Sequence, residues 1–312
     1  MDPINNAVAR LIEKAHRQSN YGDVNSAIDT LREALSIEPD NGYLHSYLAV
    51  NLVSARRLAA AHHEACTGLS MEPEDPFAHY ALGLSLTAKM QLKKAADSYR
   101  NCLALDPEFA AAYLALAQVQ SLLGQRPAAL ENLLKALELE PEDTDTIAAL
   151  GQWHLSGGDL KEAKHHAENA LAIEPQHQES LVLMGHILLR ENRVEEAREH
   201  AIWALQMDAS DEQALYLLSS IKARKSVLFG LWFRLNSWIA AGEGTRTTLL
   251  LVVGYLIFQL TSQVLEDTGN GQWASLVNYA WLALVLYSWV GPAWFHKKVE
   301  EEIKTVTLKP SY

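Results

Sequence analysis

Residues 95–107, AADSYRNCLALDP, return thirty-four positions later as residues 129–141, ALENLLKALELEP, with an alanine, a small residue, a leucine and a proline in the same four places. Working outward, the prolines recur at Pro39, Pro73, Pro107, Pro141 and Pro175, and Ala209 stands where a sixth falls. Twelve positions before each of these sites comes Ala27, Ala61, Ala95, Ala129, Ala163 or Ala197, and four before comes Leu35, Leu69, Leu103, Leu137, Leu171 or Leu205. Five before stand Ala34, Gly68, Cys102, Ala136, Ala170 and Ala204. Twenty-four before stand Ala15, Ala49, Gly83, Ala117, Gly151 and Gly185, with Ser219 continuing the column. A fixed period of this length marks a stack of supersecondary units. Small residues let two helices approach closely, and leucines fill the space beside them.

On these columns the chain resembles the tetratricopeptide repeat family, whose unit is a helix-turn-helix with small residues at the crossing and a proline near its end. The resemblance covers about residues 3–224. It implies an all-α, right-handed solenoid of six repeats plus a capping helix. Leu11, His45, His79, Tyr113, Ile147 and Leu181 depart from the family at its usual first aromatic position.

Local signals agree. Asp2 before Pro3 reads as an N-cap with proline in the first turn. Gly22, Gly124, Gly158 and Asn192 share one position inside the repeat, where a helix C-terminus calls for a left-handed residue. Arg56 and Met90 hold that position in the other two repeats, so those turns are expected to close differently.

The chain has a formal net charge of −12, and residues 1–224 alone carry 19 Lys and Arg against 32 Asp and Glu, a net −13. Such an array repels nucleic acid phosphates, so no nucleic acid partner is expected. The acids read first as solvated outer faces and second as an attraction for basic partner segments. Cys66 and Cys102 are expected to be packing residues in a reducing compartment.

After Arg224 the character changes. Thr247 to Leu265 and Trp273 to Phe295 are runs without charge, each long enough for a membrane-spanning helix, which predicts a two-helix transmembrane hairpin over 247–295. The connection Glu266 to Gln272 lacks Lys and Arg, whereas Lys222, Arg224, Lys225, Arg234 and Arg246 precede the first run and Lys297 and Lys298 follow the second. That asymmetry places both termini, including the tail 296–312, in the cytoplasm. No leader is read ahead of the repeats. Residues 225–246 read as an amphipathic helix and a hinge, either lying in the membrane interface or packed on the last repeat. Trp232, Trp238, Trp273 and Trp294 are the expected interface aromatics. Gln259 and Asn278 are expected to make polar contacts within the bilayer, to one another or to another subunit. A short hairpin without eukaryotic targeting signals points to a bacterial inner membrane.

Inside the runs there is no Asp, Glu, Lys, Arg or His, which argues against transport. HExxH, CxxC, GxSxG and P-loop motifs are absent, and no enzyme, cofactor or metal site is expected. His62, His63, His165, His166 and His200 fall on second helices, which the resemblance turns outward. It also implies that partner peptides lie along the first helix of each repeat. That nominates Ile12, His16, Tyr43, Ser46, Val50, Phe77, Tyr80, Leu84, Leu114, Gln118, Gln152, His186, Arg190 and Tyr216 as a groove, aromatic and aliphatic toward its N-terminal half. The first three repeats lack the Lys, Asn and Arg with which some members grip carboxylate termini. The function expected is a membrane-anchored scaffold or adaptor for other proteins. The alternative is a targeting or chaperone receptor for hydrophobic client segments. Self-association stays open.

Overall fold

The computed structural model describes residues 3–209, 211–225 and 244–269, with part of 271–282. The helix pairs are α1 (Pro3–Asn20) with α2 (Val24–Ile37), α3 (Gly42–Ser54) with α4 (Leu58–Met71), α5 (Pro76–Ala88) with α6 (Leu92–Leu105), and α7 (Ala110–Leu122) with α8 (Arg126–Leu139). Then come α9 (Thr144–Gly157) with α10 (Leu160–Ile173) and α11 (Gln178–Arg190) with α12 (Val194–Met207), followed by α13 (Glu212–Lys225) and α14 (Gly244–Asp267). From α3 onward the first helices begin at Gly42, Pro76, Ala110, Thr144, Gln178 and Glu212, so the period read from the prolines is the period of the helices.

The chain divides into two compact units, Met1–Ile173 and Glu174–Tyr312. In the first, each helix packs on its hairpin partner, and each of the first four hairpins packs on the next. The small columns lie in these crossings: Ala27, Ala61, Ala95, Ala129 and Ala163 have no exposed surface, nor do Ala34, Cys102, Ala136 and Ala170. Gly83 and Gly151 are buried in the same way. Around them Ile28, Leu31, Leu44 and Leu52 form an apolar cluster, and Leu86, Tyr99, Leu116 and Val119 form another. In the second unit α11 packs on α12 and α13, and Ala197, Ala204 and Leu205 are wholly buried.

The connection between repeats is a turn in which the amide of residue i+3 donates to the carbonyl of residue i, with proline at i+1, where its fixed φ suits the turn. Asn41 to Glu38, Asp75 to Glu72, Phe109 to Asp106 and Asp143 to Glu140 show it in the first unit, and His177 to Glu174 in the second. The connection inside the repeat ends the first helix with a bond spanning five residues back. The donors and acceptors are Asp23 to Gln18, Arg57 to Leu52, Gln91 to Leu86, Gln125 to Gln120, Asp159 to His154 and Arg193 to Leu188. The residue before each donor is left-handed, and here the expectation for Arg56 and Met90 fails. Arg56 at φ 56° and Met90 at φ 57° adopt the conformation of Gly22, Gly124, Gly158 and Asn192. The backbone bonds of the turn outweigh the strain of a side chain at positive φ, which is on the order of 1–2 kcal/mol. Met90→Gly therefore relieves strain at an exposed site. Net of the added freedom of the unfolded chain, it is expected to stabilise by about 1 kcal/mol, read as a higher urea midpoint at unchanged slope.

Two further expectations change. Cys66 is exposed while Cys102 is buried. His200 is buried, its Nδ1 held 2.9 Å from the Glu196 carbonyl, rather than turned to solvent. The cap expected at Asp2 lies outside the described residues, as do Trp232, Trp238, Trp294 and Asn278. Most of 225–246 and of the second uncharged run lie outside them too.

α14 contains the first uncharged run, and its side chains are described from Gly254 onward. Along it Tyr255, Leu256, Ile257, Leu260 and Val264 are exposed, and Trp273 beyond it is 64% exposed. Gln259 is exposed as well. The helix stops at Asp267, and Gly269 follows in the left-handed region, within the stretch expected to be a connection. Among the described residues, no helix is long and apolar enough to cross a membrane.

Candidate protein-binding face

In the first unit the inter-repeat turns deliver aromatic side chains to the start of successive first helices. Asn41 caps α3 by accepting from the Leu44 amide at 3.1 Å, and Asp75 caps α5 by accepting from the Phe77 amide at 3.1 Å. Each cap fixes the first turn of its helix. Tyr43 and Phe77, next in line, are thereby held as neighbours with ring centroids 5.3 Å apart. Phe77 continues to Tyr80 at 6.2 Å, and Tyr80 to Phe109 at 5.1 Å. Behind this row Tyr47 touches Tyr43 and Phe77, and Tyr99 backs Tyr80 at 6.0 Å. At the N-terminal end His16 stacks on Tyr47 at 4.4 Å and hydrogen-bonds the Tyr43 hydroxyl at 3.0 Å.

Tyr47 and Tyr99 are buried and form a floor, whereas Tyr43, Phe77, Tyr80 and Phe109 are only partly buried. Burial raises the Tyr43 hydroxyl above the ordinary phenol range, helped by Tyr47 and the Asp75 charge. Burial likewise pushes Tyr80 up to about 12, and Tyr99 rises further still. The three phenols are therefore neutral at physiological pH, and of them Tyr43 and Tyr80 reach the surface, with flat apolar faces and polar edges. Such a surface suits contact with another chain's side chains.

Phe109 belongs to this row although the repeat pattern gave no reason to nominate it. It occupies the N-cap position filled by Asn41, Asp75 and Asp143 in neighbouring repeats, and α7 has no side-chain cap. A capping bond gives way there to a ring contact, and a phenylalanine interrupting a column of Asn and Asp was the available signal.

Ser46 does not belong to the face. It has no exposed surface, and its Oγ, which lacks a hydrogen-bond partner, lies where a side chain on Gly68 would begin. The fifth position of the first helix points toward the second helix of its own repeat. A short side chain stays there, while Tyr80 in the same register is long enough to emerge. Ile12, Val50, Leu84 and Leu114 are half-buried, and His16, Gln118 and Gln152 are exposed. In the second unit His186 and Tyr216 pair with ring centroids 6.4 Å apart, Tyr216 being 54% exposed. Burial, followed by Arg190, lowers the pKa of His186.

Elsewhere in the first unit, Trp153 donates through Nε1 to the Arg126 carbonyl at 3.1 Å while the Arg126 guanidinium lies 4.6 Å over its ring. His154 and His166 stack at 5.4 Å beside that pair, and burial lowers His166. These contacts join α8, α9 and α10.

Family models described as tetratricopeptide repeat match residues 110–143 and 154–221. No curated protein matches the chain by sequence. Among solved structures it is similar to TTC0263, a thermophilic TPR protein of Thermus thermophilus, at 23% identity and a TM-score of 0.55, over 59% of this chain and 100% of that one. PilF of Pseudomonas aeruginosa is similar at 17% identity and a TM-score of 0.52, over 68% and 97% of the two chains. Similarity to the APC/C hetero-tetramer Cut9–Hcn1 has 17% identity and a TM-score of 0.59, over 78% of this chain and 47% of that one. At these identities the likeness is one of fold. Residues 110–143 and 154–221 are thus tetratricopeptide repeats by sequence, and the helix pairs from Pro3 to Met207 repeat on the same thirty-four-residue period and share that fold.

Proposed function

We propose that this protein is a scaffold that holds other proteins through the aromatic face of its first unit, and that residues 247–295 attach it to a membrane. The observation that carries the first half is the continuous row Tyr43, Phe77, Tyr80 and Phe109, whose rings touch one another in residues that stay partly exposed. Rigid aromatic surface loses little entropy on binding and gains desolvation, so such rows concentrate binding free energy. Attachment is supported by the uncharged run Thr247 to Leu265 and by the exposed apolar side chains of α14, which water solvates poorly.

The test is purification of the tagged full-length chain in mild detergent beside a Tyr43→Ala, Phe77→Ala, Tyr80→Ala variant, with helicity and thermal unfolding of both recorded. One stoichiometric set of membrane-associated partners, reduced at least about tenfold in the variant, is the expected result; tenfold corresponds to about 1.4 kcal/mol. A scatter of substoichiometric clients lost in the same variant identifies a receptor for hydrophobic segments instead. Partners retained by a folded variant overturn the face.

A further inference from the structure

Resting on that reading of the aromatic face, we infer that its occupant is a basic segment of a partner protein, with apolar side chains on the rings and Lys or Arg beside the inter-repeat turns. In a stack of antiparallel helix hairpins these turns lie together at one end, the end from which Tyr43, Phe77 and Phe109 project. The four turns of the first unit, residues 38–41, 72–75, 106–109 and 140–143, read EPDN, EPED, DPEF and EPED, ten Asp and Glu with no Lys or Arg. The opposite end, at the turns inside the repeats, is mixed, with Arg56, Arg57, Lys89 and Arg126 against Asp23 and Asp159.

The fold employs several of these acids. Asp75 and Asp143 cap helices, Glu38 accepts from the Asn41 amide group at 2.9 Å, Glu72 accepts from the Gly42 backbone at 3.1 Å, and Asp106 accepts from the Glu108 backbone at 3.0 Å. Asp40, Glu74, Glu108 and Glu142 are different. They form a column of their own, all four are exposed, and none of their carboxylates enters a hydrogen bond or ion pair among the described residues. Each directly precedes an N-cap, where the helix dipole favours negative charge, and stands two residues past a C-cap, where it disfavours it, so the dipole accounts for only part of the column. Their summed field falls on the open side of a row of rings whose faces attract cations. One Asp75 oxygen is buried without a hydrogen-bond partner while the other accepts from the Phe77 amide, which holds this carboxylate at the base of the row. A neutral apolar segment uses only the rings, and an acidic one meets repulsion along the whole edge. A basic, apolar segment uses both.

Three end-labelled peptides test this against the full-length protein in detergent: one alternating Leu and Lys, one with Gln and one with Glu in place of Lys. The Lys peptide is expected to bind at least about tenfold tighter than the Gln peptide at low salt and the Glu peptide weakest, with the preference shrinking as salt rises. Phe77→Ala weakens the Lys and Gln peptides alike. Reversing Asp40, Glu74 and Glu108 to Lys abolishes the preference. Reversing Glu33, Glu131 and Glu168 on second helices, an equal change in net charge, leaves it intact. Equal binding of the Lys and Gln peptides, both dependent on Phe77, overturns the basic partner while the aromatic face stands. A preference lost equally in both reversal sets assigns it to overall acidity and also overturns the inference. Binding of no peptide, or binding indifferent to Phe77, sinks the face and the inference together.

Discussion

Gly68→Val is expected to lower the unfolding free energy by about 3 kcal/mol, the upper part of the range for overpacking a helix crossing. A β-carbon at Gly68 would stand 2.3 Å from Ser46 Oγ, 2.8 Å from the Gly42 carbonyl oxygen and 3.0 Å from the Ser46 amide nitrogen. Two of those obstacles are backbone, so α3 and α4 have to separate. Moving them parts Leu44, Leu48 and Leu52 from their neighbours and loosens the first turn of α3, which carries Tyr43. Helix propensity offsets little, because valine is only slightly better than glycine in a helix. Urea unfolding measures the loss, and amide exchange locates it, since neighbouring repeats hold one another up in a stack. Adding Ser46→Gly removes the nearest atom but leaves the two backbone contacts, so the pair stays close to Gly68→Val alone. A Gly68→Val protein within about 0.5 kcal/mol of the parent refutes the tight crossing.

That crossing marks where the sequence was legible and where it was not. The columns of Ala27, Ala34 and their repeats announced the close approaches, because small size is the property that matters there. Periodicity also located the aromatic row, since Tyr43 and Phe77 occupy one register. It failed at Ser46, which shares its register with Tyr80. One position on a helix serves either face according to the length of its side chain, which a count of positions ignores. Arg56 and Met90 misled for a related reason. The left-handed turn is dictated by backbone hydrogen bonds common to all the repeats, and residue type modulates only its strain. His200 shows the limit of turning second helices outward by rule, since it was expected outside and is packed, and Cys66 shows the limit of reading burial from a repeat column, since it was expected inside and lies at the surface. The field of ten acids at one end was present in the sequence, but only the hairpin geometry places it beside the rings.

Tyr99→Ala is expected to lower the unfolding free energy by about 3–5 kcal/mol, the cost of emptying a buried aromatic site. Tyr99 has no exposed surface, its hydroxyl lies 3.1 Å from Thr87 Oγ1, and its ring fills the space a side chain at residue 83 would need. A β-carbon on Gly83 would come within 2.4 Å of the ring. Gly83→Ala in the parent therefore overpacks, at about 2 kcal/mol net. The pair is predicted to be strongly non-additive. In Tyr99→Ala the obstacle at residue 83 is gone, and alanine there gains about 1 kcal/mol of helix propensity over glycine. The same Gly83→Ala change thus reverses sign with the residue at position 99, a result that simple loss of a hydrogen bond to Thr87 does not produce. Tyr99→Phe serves as the control, losing about 1 kcal/mol for the hydroxyl and keeping Gly83→Ala unfavourable. Additive free energies in the four-protein cycle rule out the interlock. Because Tyr80 rests on Tyr99, the cavity also frees the Tyr80 ring to tilt inward, so Tyr99→Ala weakens partner binding where Tyr99→Phe leaves it unchanged.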